Sequence, residues 1–271
     1  MRKSNNGDYL YKQLEQFYWN PAMALWRAVE AELVSKIHLE DPVLDIGCGD
    51  GSFIEAAFPG RVLHTGLDIN PLDIEKAKKK KIYKNLALGD ARKMSYVNSS
   101  FQTIFSNCVF EHIEGIDKVL KESNRVLKPG GKLVITTLTD RYGEGLFYYQ
   151  LWSKFSMKLA KKYVEEKNER QSHFNYFSSD EWTKRMKKAG FSSVEFKYYM
   201  PFKTERRWDF IDQIFVTGWR KFRVYKVFQG LAELTGKQPI ISLFYWMLKP
   251  TFSYKASQGE PHGAILLIAT K

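Results

Sequence analysis

Three glycines on alternate positions, Gly47, Gly49 and Gly51, follow an apolar run in the stretch VLDIGCGDG at residues 43–51, with Asp45 two places ahead of the first. Glycine at this spacing lets a turn reach positive φ and offer its N–H groups to a nucleotide-like ligand, and the following SFIEAA can start a helix. Asp68 lies 21 positions beyond Gly47. An acid at the end of the adjacent parallel strand, about 20 residues on, accepts both hydroxyls of a nucleoside ribose. The competing reading of Asp68, a helix N-cap, is weakened because Asn70 or Asp73 would cap equally well. Farther on, Glu111 and His112 follow the apolar run FQTIFSNCV at 101–109, where an acceptor must approach, and an imidazole there suits proton removal. Of five histidines, His112 is the first candidate base and His173 the second, with Glu111 beside them in the catalytic set. His38, His64 and His262 read as structural. Glu111, His112 and Glu114 lack the remote ligand a divalent ion needs, so no metal is expected.

The glycine spacing separates two cofactor classes. A dinucleotide site expects G-x-G-x-x-G, and here the third glycine falls one place early. A sulfonium and an ammonium are favoured beside Asp45, where a pyrophosphate would be repelled. In these residues the chain resembles the class I S-adenosylmethionine-dependent methyltransferases, in the broad group that includes the quinone-biosynthesis enzymes. The turn KPGG at 128–131 adds to the likeness, which is strong over 43–138 and weaker beyond. The resemblance implies an α/β, doubly wound, Rossmann-like seven-stranded sheet, mostly parallel with an antiparallel last strand, plus N-terminal helices and an α-rich insertion before that strand. It implies S-adenosylmethionine as cofactor and Asp90 as acceptor from the adenine amino group. Cys48, Ile69, Ala91 and Asn107 stand beside these acids in the implied cofactor site. The segment before the first strand would lie over the pocket, with Arg27 reaching the methionine carboxylate as a charge-assisted donor.

Several elements have to position these residues. Apolar residues at three- and four-residue spacing over 9–39, broken near Asn20 and Pro21, predict two helices. Strands are expected at 61–67, 86–88, 101–109, 132–137, 191–199 and 264–269, and helices at 116–127 and 179–190. The expected domains are a helical cap at 1–40, a methyltransferase core at 41–200 and 263–271, and a basic, aromatic-rich insertion at 201–262, either a lid or a membrane-interface subdomain.

The 271 residues carry a formal charge of +12 and two cysteines, which implies no disulfide framework and a reducing, cytoplasmic setting. The N-terminal residues lack the apolar core of a signal peptide, and no apolar run approaches the ~20 residues of a spanning helix. Residues 197–255 hold 11 Lys and Arg against 4 Asp and Glu, and 15 aromatic residues. Within them RKFRVYKVF, at 220–228, interleaves cations with rings, as an interfacial helix on an anionic membrane does. After the fourth strand the chain reads SNCV, without the Pro-Pro of amine-methylating nucleic-acid enzymes or the Pro-Cys of those that attack cytosine C5. Nucleic acid therefore ranks below a small or lipid-linked acceptor, an isoprenoid quinone-like molecule or a lipid-carried sugar, methylated on oxygen, with 201–255 facing an anionic membrane from its inner side. The alternatives are a non-catalytic module on the same fold, a nucleic-acid methyltransferase and a nicotinamide-dependent oxidoreductase.

Overall fold

The computed structural model describes residues 8–217, 224–252 and 261–271. The chain forms two compact units. A helical unit draws on Met1–Lys36, Gly143–Val164 and Met200–His262, and a sheet unit on Ile37–Tyr142, Glu165–Tyr199 and Gly263–Lys271. Residues 143–164, expected within the core domain, thus cluster with the helical unit.

The chain opens with α1 (Tyr9–Gln16) and α2 (Pro21–Val34). They separate where the sequence breaks: the Asn20 side chain accepts from the Met23 N–H at 3.1 Å and Pro21 takes the first helical position. The sheet unit then runs β1 (Val43–Ile46), α3 (Ser52–Ala57), β2 (Leu63–Asp68), α4 (Pro71–Lys80), β3 (Tyr83–Leu88), β4 (Phe101–Asn107), α5 (Ile116–Val126) and β5 (Leu127–Leu138). After α6 (Tyr142–Gly145), α7 (Phe147–Ser153) and α8 (Met157–Gln171) come α9 (Ser179–Lys188) and β6 (Ser193–Pro201). The helical unit continues with α10 (Phe202–Asp212), a π-helical turn (Gln213–Thr217), α11 (Val224–Thr235) and α12 (Gln238–Leu248), and β7 (His262–Thr270) returns to the sheet.

The seven strands lie in the order β3-β2-β1-β4-β5-β7-β6, with β1 to β5 parallel and β7 antiparallel to β5. Every residue of β1 is buried, as a central parallel strand between helical layers requires. Leu44, Ile104, Leu133 and Ile265 build the core with Val119 and Leu120 of α5 and Trp182 and Met186 of α9.

Of the boundaries that differ from expectation, three have a visible cause. β4 stops at Asn107 because Cys108 turns to φ 49°, its N–H bonding back to both oxygens of Thr136, and the chain tightens into a 3-10 turn at Phe110–His112. β5 begins five residues early, since the KPGG turn joins the ladder through a shifted register opposite Phe101 and Thr103. β3 starts at Tyr83, drawn in by pairing with β2 from Leu63. In the helical unit Phe228 of α11 packs on Phe244 of α12, while Leu234 (84 %) and Trp246 (77 %) are exposed. Arg220, Lys221, Phe222 and Arg223 of the basic segment lie outside the described residues. Among the described residues no helix is long and apolar enough to cross a membrane.

Candidate active site

The glycine turn hangs on the end of the neighbouring strand: the N–H groups of Gly47 and Cys48 both donate to the Leu67 carbonyl, at 2.8 and 3.1 Å. Gly47 stands at φ 71°, and a Cβ there would lie 2.5 Å from a Val109 methyl. Gly51, at φ 78°, faces Ile82 in the same way. Gly49, at φ 53°, has open space where a Cβ would be. Its N–H donates to Asp68 Oδ2 at 2.7 Å, and the Asn70 N–H donates to Asp68 Oδ1 at 2.8 Å. A carboxylate offers about four lone-pair sites, so roughly two of Asp68's stay unclaimed. The cap of α4 is Asn70, whose side chain accepts from the Leu72 N–H at 3.0 Å.

Beside this turn lies a cavity of about 410 Å³. Its lining brings together six residues expected in the site, Gly47, Asp68, Ile69, Asp90, Ala91 and His112, with Val109, Ile113, Glu114 and Phe174. All belong to the sheet unit. The volume is that of a pocket for a nucleoside-sized ligand. Open space over Gly49, free lone pairs on Asp68 and apolar walls from Ile69 and Ala91 fit a nucleoside cofactor.

Arg92 also lines the cavity and has no forewarning in the sequence reading. Its Nε reaches both oxygens of Asp90, at 3.1 and 2.9 Å, its Nη2 the Oδ2 at 2.7 Å, and its backbone N–H the Oδ1 at 2.8 Å. These donors hold the Asp90 carboxyl below the usual range. The only hint was position, two residues after an acid at a strand end.

Other expected residues are not among those that line the cavity. Asp45 is buried and accepts from the Tyr83 hydroxyl at 2.6 Å. Burial pushes its pKa up to about 7; the Tyr83 bond pulls the other way and the Asp68 charge adds to the rise. Cys48 is buried, its thiol pushed up by desolvation and by Asp45 and Asp68. Asn107 is buried and accepts from Thr136 Oγ1 at 2.9 Å. Arg27 belongs to the helical unit and pairs with buried Glu30 at 3.2 Å.

Glu111, expected in the catalytic set with His112, is not among the residues that line the cavity. Its carboxylate is buried and accepts from Thr137 Oγ1 at 3.2 Å, while His112 and Glu114 line the cavity. Among the described residues no three His, Cys, Asp or Glu converge as metal ligands. The Glu111 backbone carbonyl instead accepts from the N–H groups of Phe174 and Asn175, at 2.7 and 3.1 Å. Asn175 completes the lock by donating from Nδ2 to the carbonyls of Phe110 and Ile113, both at 2.8 Å. The segment HFN, 173–175, is thereby pinned on the turn that carries His112.

The exposed His112 ring directs Nδ1 at the Ser172 carbonyl, 3.1 Å away. A carbonyl only accepts, so Nδ1 carries a proton, and in the neutral ring the lone pair is on Nε2. His173 lies with its ring centre 5.0 Å from that of His112 and its Nδ1 3.0 Å from Asn168 Oδ1. Burial, reinforced by His112 and Lys167, pushes its pKa down to about 3, so His173 stays neutral near pH 7 and is too weak a base there.

Comparison with known proteins bears on the family and the fold. Residues 44–135 match the family model described as a methyltransferase domain. The chain is 31 % identical over 174 residues to the demethylmenaquinone methyltransferase of Oceanobacillus iheyensis, covering 59 % of this chain and 73 % of that protein. It is 32 % identical over 123 residues to a sterol 4-C-methyltransferase of Caenorhabditis elegans; this match covers 41 % of this chain and spans only 36 % of that protein's length. The fold matches that of a methyltransferase from Thermotoga maritima with a TM-score of 0.57 at 18 % identity, over 97 % of this chain and 99 % of that one.

Proposed function

The chain belongs to the class I S-adenosylmethionine-dependent methyltransferases, and from that premise we propose that it methylates an oxygen of a small or lipid-linked apolar acceptor, with His112 as general base. The observation that carries the reading is a single cavity lined by both Asp68 and His112. S-adenosylmethionine, the cofactor of this family, supplies when bound a methyl group on a sulfonium, open to in-line displacement. Asp68 would accept from the ribose hydroxyls, Ile69 and Ala91 would hold the base, and Asp90 with Arg92 would meet its polar edge. His112 Nε2 takes the acceptor proton, its ring held by the Ser172 carbonyl. His173 and Glu111 position this base.

Val109, Ile113 and Phe174 give the cavity an apolar wall that suits a quinone or fused ring. Relatives named for quinone and sterol methylation support that acceptor class. The basic, aromatic composition of 201–255 supports an anionic membrane surface, on the cytoplasmic side, as the place where the acceptor is met.

Calorimetric titration with S-adenosylhomocysteine, on protein freed of carried-over cofactor, tests the site. Asp68→Ala should weaken binding by roughly 10- to 100-fold, the worth of charged hydrogen bonds. His112→Gln should bind as the parent does and lose about 100-fold or more in kcat. No binding by the parent, or equal binding by Asp68→Ala, would sink the assignment.

A further inference from the structure

The turn between α7 and α8 carries a feature that the expected domain division left inside the core. Phe155 stands at this turn 77 % exposed, with Trp152, Met157 and Leu159 exposed around it. The backbone makes the projection fixed: the N–H groups of Phe155 and Ser156 both bond the Trp152 carbonyl, at 3.0 and 2.8 Å. The exposed Lys154, Lys158, Lys161 and Lys162 share the same stretch, and from 145 to 164 there is no Asp or Glu. Exposed apolar side chains in a run are uncommon on a surface bathed only by water and mark a contact face. Neither α7 nor this turn is long enough to span a bilayer.

We propose that the α7–α8 turn docks the protein on an anionic lipid bilayer, with Phe155 and Leu159 entering the interface and the four lysines meeting lipid phosphates. The inference rests on the reading of a lipid-borne acceptor and deepens it by naming the membrane-facing element. Charge complementarity selects the occupant: lysine is attracted to anionic headgroups, and the apolar residues between gain by leaving water at the headgroup–acyl boundary. Nucleic acid would use the lysines and could stack on Phe155, but it leaves Met157 and Leu159 in water.

Sedimentation of the full chain with phosphatidylcholine vesicles, with and without about 30 mol% phosphatidylglycerol, tests the docking site. Binding to the anionic vesicles should exceed that to neutral ones by about 30-fold or more at low salt, as several lysines acting together imply. The pairs Phe155→Ser with Leu159→Ser, and Lys158→Glu with Lys161→Glu, should each lower it about 10-fold or more. Lys78→Glu with Lys79→Glu, the same charge change on α4, should leave most of the binding in place. Equal loss in that control, no binding to anionic vesicles, or displacement by a DNA duplex that binds through the same lysines would each overturn the proposal. S-adenosylhomocysteine affinity, measured beside it, separates failure of docking from failure of the methyltransferase site.

Discussion

Asp45 is an acid kept from water beneath a ligand turn, and its protonation ties stability to pH. Its folded pKa of about 7 exceeds the unfolded value near ~4, so the folded chain holds a proton that the unfolded chain releases between them. Stability contributed by this residue is therefore greatest below pH ~4, falls as pH rises toward 7, and the penalty is complete above it. Asp45→Asn keeps an oxygen for the Tyr83 hydroxyl and removes the charge. Denaturant titration should show the variant gaining little at pH 4 and a few kcal/mol, about 1–4, at pH 8. The sign reverses for a cationic cofactor, whose binding should be weaker in the variant at pH 8. An unchanged stability difference between the two pH values would show that Asp45 is ionised throughout.

At the scale of elements, the site depends on a lock between segments far apart in sequence. Asn175 joins HFN to the Phe110–His112 turn through two buried or half-buried carbonyls. Asn175→Leu leaves those carbonyls without their donors, at a cost of about 1–3 kcal/mol. We expect a lowered melting temperature and, under conditions where the variant is folded, a kcat loss that exceeds the loss in S-adenosylhomocysteine affinity, because the lock carries His112 and spares Asp68. Equal losses in both would assign Asn175 to the whole sheet unit. Nothing local in the sequence marks this role. Asn175 reads as one polar residue before a helix cap, and its partners are main-chain carbonyls some 60 positions away. The place of Asp68 in the cavity is legible for the opposite reason: it follows from a spacing to the glycines that strand geometry dictates. The same holds for β1 and β7, whose near-continuous apolar runs identify buried strands, whereas the early start of β5 depends on pairing with Phe101. Arg92 escaped notice because a salt bridge to Asp90 has no periodic signature.

On the scale of the molecule, the residues that line the cavity come, Phe174 apart, from the ends of β1, β2, β3 and β4 and the turns after them. Saturating S-adenosylhomocysteine should therefore raise hydrogen-exchange protection at 47–52, 67–70 and 89–92. Unchanged exchange in all three stretches would place the cofactor elsewhere. The division into two units was the least legible feature at this scale. Residues 143–164 are as helical and aromatic as the N-terminal segment, and composition alone does not say which unit they join.

The His112–Ser172 contact also has a consequence for synthesis. A ribosome delivers the glycine turn, Asp68, Asp90 and His112 together, within the first half of the chain. The carbonyl that selects the tautomer of His112 is translated 60 residues later, and Asn175 after it. On the proposed assignment of His112 as base, the nascent protein completes the strands that carry the proposed cofactor residues before that base has a defined proton, and would gain the means to bind before the capacity to react.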